Sequence, residues 1–216
     1  MNTKTAFKPV QEGWIPPEQR TYNVQKQHAL HLEKMSVFGA VAAPIAGTGE
    51  DKVVLLHEVL TKVHGTFPTN TQTIGDCVSH GWGKGVETLA AVEVILKEEN
   101  EKLIKELVAT EWIYGTSRVI QGGGRLGNGD GSLGSWASAA VKENGILFRK
   151  KYGNYDLREY SGSKAKKWGY KGLPAEKLEP TADEHPVQTT ALVTTYEEAR
   201  DAIASGYPVP VCSSQG

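Results

Sequence analysis

Gln72-Thr73-Ile74-Gly75-Asp76-Cys77-Val78-Ser79-His80-Gly81-Trp82 is the stretch where irregular chain turns into a helix. Upstream, Gly65, Pro68, Asn70 and Gly75 interrupt any helical run, so a loop delivers the cysteine. Downstream, Val78, Trp82, Val86, Leu89, Val92 and Leu96 recur at steps of three and four with no proline between them, which predicts the strongest helix of the chain. About twenty residues at 1.5 Å each make a rod of roughly 30 Å, enough for the spine of a domain. Gly81, Gly83, Gly85, Ala90 and Ala91 let neighbours approach that rod closely, at some cost in helix propensity.

A cysteine at a helix start has a chemical consequence. Unpaired backbone N–H groups and the positive end of the helix dipole favour the thiolate, which is the nucleophilic form. Acyl transfer also needs donors for an oxyanion, and the helix-start N–H together with the amide of Gln72, five residues upstream, can supply them. Asp76 acts in two directions, since its carboxylate can cap the helix but raises a neighbouring thiol pKa by like charge. The plain alternative for Cys77 is a small buried hydrophobe.

Working outward, Val53, Val54, Leu55, Leu56, Val59, Leu60 and Val63 predict a short helix within Asp51 to Val63, with Asp51 in its first turn. Residues 1–35 are polar, punctuated by Trp14-Ile15-Pro16-Pro17, and read as an arm packed on the domain surface. Residues 98–109 are charged and amphipathic, and Thr110 is placed to cap a turn at Glu111 to Tyr114. Gly122 to Gly134 reads as a flexible glycine-rich connection, and a helix follows from Ser135 to Glu143, ending at Asn144-Gly145. A lysine-rich and aromatic connector runs to Tyr170, in which Lys164, Lys166 and Lys167 form a solvated face beside Trp168. A last helix is expected over Tyr196 to Ala204, with Glu197 and Glu198 in its first turn, before Pro208-Val209-Pro210-Val211-Cys212 enters a strand.

Bulk composition narrows the function. With 24 basic and 25 acidic side chains in 216 residues, no field of one sign draws in nucleic acid or an anionic membrane. No apolar run reaches the roughly 18 residues that span a bilayer. Val37 to Ile45 has the flavour of a secretion signal but starts late and follows mixed charge. Cys77 and Cys212 are too few for a disulfide framework or a cysteine-rich zinc site, so no cofactor or metal is expected. The glycine run lacks the Gly-Lys-Ser/Thr ending of a phosphate loop. Asn128, Asp130 and Ser132 lack the later acidic ligand of a calcium loop.

The segment Gln72 to Trp82 resembles the active-site cysteine segment of papain-like cysteine peptidases. Asp130 to Ala137, with Val141 and Asn144-Gly145-Ile146, is similar to that family's glycine-aromatic helix and its glycine-isoleucine turn. Lys151 to Tyr155 resembles the tyrosine-rich turn that follows, and Tyr196 to Val211 resembles the helix and proline-valine strand that enter the family's barrel-like half. The resemblance covers about residues 65–216 and rests on the order of these blocks. It implies an α+β fold, with a helical subdomain built on the cysteine-bearing helix and the start of a β-barrel-like subdomain. The chain then divides into an N-terminal arm and short helix, 1–64, and an incomplete peptidase domain, 65–216.

The implied activity is hydrolysis of a peptide or protein substrate, with Cys77 as nucleophile and Gln72 as oxyanion donor. Two departures stand out. The family separates glutamine and cysteine by six positions, where Thr71 sits here. It also places a catalytic histidine roughly 130–150 residues after the cysteine, near positions 207–227, and the last histidine here is His185. His185 precedes the late strand and reads as a surface loop residue, His80 points away from the thiol's line of attack, and His57 and His64 lie near the upstream helix. The base is therefore expected beyond residue 216, in a longer polypeptide or assembly. A cell-wall amidase would also place Asp-Cys at a helix start, but residues 81–184 lack its histidine. A non-catalytic scaffold with the peptidase fold is the remaining alternative. Cys212 reads as packed, although the family topology would bring its strand toward the cleft.

Overall fold

The structure is a computed structural model that describes residues 13–95 and 106–213. In chain order its helices are α1 (Tyr22–Lys34), α2 (Phe38–Val41), α3 (Leu56–His64), α4 (Cys77–Ile95), α5 (Thr110–Gly115), α6 (Gly134–Glu143), α7 (Gly162–Lys171), α8 (Ala175–Ala182) and α9 (Tyr196–Ala204). The strands are short: β1 (Ser36–Val37) pairs in parallel with β4 (Ala191–Leu192), and β2 (Lys151–Tyr152) with β3 (Tyr155–Asp156) in a hairpin. The described residues are thus mainly helical with few strands.

The expected spine is present as α4, beginning at Cys77; Leu96 and residues 98–105 lie outside the described residues. The N-terminal half of α4 buries Val78 against Val108, Ile113, Ala137, Val141, Ile146 and Phe148, so the nucleophile end is seated on the main core. Its C-terminal half packs Ala91 and Val92 on Val59 and Leu60 of α3. A second core joins α5, α7 and α8 through Trp112, Leu147, Leu157, Trp168, Leu178 and Ala182. Full burial of such side chains is worth roughly 1.5–3 kcal/mol each, which favours a fixed platform beneath α4.

Several local expectations change. The helix before the cysteine starts at Leu56, because Asp51 sits at φ 57°, a left-handed turn conformation that no helix continues. Thr110 does not cap α5: it is the helix's first residue, and its hydroxyl accepts from Arg149 Nη2 at 3.2 Å. The connector through Tyr170 folds into the β2–β3 hairpin and α7, whose N-cap is Ser161, accepting from the Lys164 N–H at 3.2 Å. Within the polar arm, α1 forms behind a Thr21 cap and buries Val24 beside Leu133 and Trp136. Pro208 to Cys212 is not a strand. Pro208 and Pro210 have no N–H to give a sheet ladder, and the segment lies on α4 instead, Pro210 against Gly85 and Gly206 against Val92.

Other readings match. The helix α6 stops at Asn144, with Gly145 at φ 62°. The helix α9 spans Tyr196–Ala204 and opens on a full capping box between Thr195 and Glu198.

The glycine-rich connection is held rather than loose. Arg118, 1% exposed, donates from Nε to the Gly169 carbonyl at 2.9 Å, from Nη1 to Gly131, and from Nη2 to Gly127 at 2.9 Å and Gly129 at 2.5 Å. One planar guanidinium therefore fixes the loop through its main chain.

Candidate active site

The last turn of loop before α4 is built from backbone. Asp76 N–H donates to the Ile74 carbonyl at 2.9 Å, and the Asp76 carbonyl accepts from Ser79 N at 3.0 Å and His80 N at 3.2 Å. These bonds start the helix and leave Cys77 at its first position. Cys77 is solvent-exposed, whereas Gly75, Asp76, Val78 and Ser79 around it are buried. The sulfur therefore stands at the surface of a rigid support.

Competing influences act on its ionisation. Partial burial of the sulfur raises the thiol pKa, and the Asp76 carboxylate adds to that rise. The backbone amides of Gly13, Val78 and Cys77 itself pull it down. The net direction is upward, so this arrangement holds the sulfur mainly as a thiol at neutral pH.

Asp76 is fully buried, and its carboxylate takes a different partner from the helix amides. Oδ2 accepts from the Tyr160 hydroxyl at 2.8 Å, and Oδ1 lies 3.4 Å from His80 Nε2. The His80 ring meets Tyr160 edge-on, with centroids 5.0 Å apart. Burial raises the Tyr160 phenol pKa, and the bond to Asp76 raises it further, keeping it a donor. Tyr160 thus clamps the nucleophile loop from a segment 84 residues away.

Gln72 is exposed, and its Nε2 donates to the Ile74 carbonyl at 2.6 Å. In this conformation the amide closes the turn leading into α4. The histidines engage elsewhere: His28 meets Ser135 and His31 meets Gln121. His57 stacks edge-on with Phe67 and His185 with Phe148, while His64 ends α3. No imidazole is among the groups that act on the Cys77 thiol among the described residues.

The N-terminal arm reaches the site, beyond its expected place on the domain surface. Trp14 bridges Ser132 in parallel: Ile15 N–H donates to the Ser132 carbonyl at 3.2 Å, and Ser132 N–H to the Gly13 carbonyl at 2.9 Å. Gly131 N–H bonds the Gly75 carbonyl at 2.8 Å, tying the Arg118-held loop to the turn before Cys77. Gly13 then lies directly against the cysteine, where a β-carbon would fall 2.5 Å from Cys77 N and 2.7 Å from Sγ. Only a residue without a side chain fits there. Neither Gly13 nor Tyr160 carries a local sequence signal for this role, because both arrive through long-range packing.

No protein-family model matches the chain, and no curated protein matches it. Among solved structures, its fold is similar to that of xylellain, a cysteine protease from Xylella fastidiosa, with a TM-score of 0.51 and 14% identity. The match covers 92% of this chain and 65% of that one, so the chain spans just under two thirds of that protein's structure. At this identity the likeness concerns the fold.

Proposed function

We propose that the chain carries the nucleophile-bearing part of a papain-like cysteine peptidase. The observation that supports it most is an exposed Cys77 at the first position of a 19-residue helix, where three backbone amides oppose the rise in its pKa caused by burial and Asp76. In this reading the thiolate attacks a peptide carbonyl, the amine leaves, and water hydrolyses the resulting thioester. The Cys77 N–H and the Gln72 amide, once released from Ile74, receive the oxyanion. The proton-relaying histidine belongs to sequence beyond residue 216, because none of the six histidines here is engaged at the thiol. The substrate is a peptide or protein, and the barrel-like subdomain belongs to the same proposal.

A non-catalytic scaffold with this fold is the second reading, favoured by the Gln72 amide being spent on Ile74. Labelling with a thiol-directed peptide epoxide, followed by peptide mapping, separates the two. An adduct on Cys77 that a Cys77→Ala chain lacks supports the peptidase. Alkylation of Cys77 by iodoacetamide without any epoxide adduct, both in this chain and in a C-terminally extended one, supports the scaffold.

A further inference from the structure

The two cysteines of the chain are 135 residues apart in sequence, yet two independent routes bring both toward the N-terminal end of α4. The first is the segment lying on α4. It runs antiparallel to the helix, with Gly206 at Val92 and Pro210 at Gly85. From Gly85 to Cys77 the helix axis covers about 12 Å, and two extended residues from Pro210 to Cys212 cover about 7 Å of it. The axial remainder of about 5 Å leaves Cys212 less than one helical turn short of Cys77 along α4.

The second route is the start of α6. Cys212 Sγ lies 3.0 Å from where a β-carbon on Gly134 would stand. Gly134 is two residues from Ser132, which bonds Gly13, which touches Cys77 Sγ. Cys212 and Trp14 both pack on the core that holds Val78. Each thiol thus stands at the N-terminal end of a helix, Cys77 on α4 and Cys212 beside α6. Burial and the nearby Cys77 raise the Cys212 pKa, while Arg20 and the Gly134 amide lower it, so the two sulfurs sense one another.

We infer that Cys77 and Cys212 form a reversible disulfide that masks the exposed thiol. The oxidant is a hydroperoxide. The Cys77 thiolate attacks the peroxide oxygen, the O–O bond breaks, and the leaving oxygen departs as water or an alcohol after protonation, giving a sulfenic acid. The Cys212 thiolate then attacks that sulfur, the S–O bond breaks, and the hydroxide leaves as water on protonation. Two thiols have lost two electrons, the hydroperoxide has gained them, and an external dithiol reverses the exchange. The inference does not depend on peptidase activity.

The test exposes the whole chain to hydrogen peroxide and reads intact mass before and after iodoacetamide. The expected product is a monomer about 2 Da lighter with no alkylatable thiol, a Cys77–Cys212 linked peptide on non-reducing mapping, and full recovery of both thiols with dithiothreitol. A Cys212→Ser chain should instead gain about 32 Da at Cys77, irreversibly. The inference is overturned if the wild-type chain takes up those oxygens at Cys77 while Cys212 stays alkylatable. It is equally overturned if the disulfide forms only between chains.

Discussion

The Tyr160 hydroxyl donates to Asp76 Oδ2 at 2.8 Å, fixing a buried carboxylate immediately before the candidate nucleophile. That carboxylate opposes ionisation of Cys77. Asp76→Asn keeps an acceptor for Tyr160 and removes the charge, so the Cys77 pKa should fall. The pH dependence of iodoacetamide alkylation measures it, and a rise would refute the electrostatic account.

Gly13 is sealed against Cys77 N, Cys77 Sγ and the Gly75 backbone. A methyl group there has no room, so Gly13→Ala should lift the arm and speed alkylation of Cys77 several-fold. The overpacking should cost about 1–3 kcal/mol in a denaturant titration. Unchanged alkylation with unchanged stability would mean that the arm does not shield the thiol.

Arg118 satisfies four carbonyls from a buried position. Lysine keeps the charge but not the planar fork, so Arg118→Lys leaves acceptors unpaired and should destabilise the protein by about 3 kcal/mol or more. Limited proteolysis should then cut between residues 122 and 131, where the wild-type loop resists.

His28 bonds Ser135 of α6 at 2.7 Å, and its pKa is lowered to about 4 by burial first and then by Arg20 and His31. The unfolded chain, with an ordinary histidine pKa near 6.5, binds the proton more readily. This contribution to stability is therefore complete above pH 6.5 and lost as pH falls toward 4. Melting temperatures across that window should drop for the wild-type chain and drop less for His28→Asn.

The sequence is informative where contacts are local. The α4 start is written in the glycines and proline before Cys77 and the three-four spacing after it, and α9 in its first-turn acids. The arm is not legible in this way: α1 buries only Val24, so its apolar periodicity is weak, and its position depends on Trp14 meeting Ser132. Tyr160 sits among lysines that suggest a solvated stretch, and only the fold turns it toward Asp76. The expected strand at Pro208 fails for a backbone reason, since an alternating apolar pattern cannot restore the donors its prolines lack.

The guanidinium clasp hydrogen-bonds the glycine-rich loop through the carbonyl oxygens of Gly127, Gly129 and Gly131. Exposed positions such as Asn128 can therefore be exchanged for other residues while the loop keeps its path, because every residue type presents the same oxygen. That makes the rim beside the thiol a natural place to randomise in a library: chemical character can be varied there on a frame anchored by one arginine.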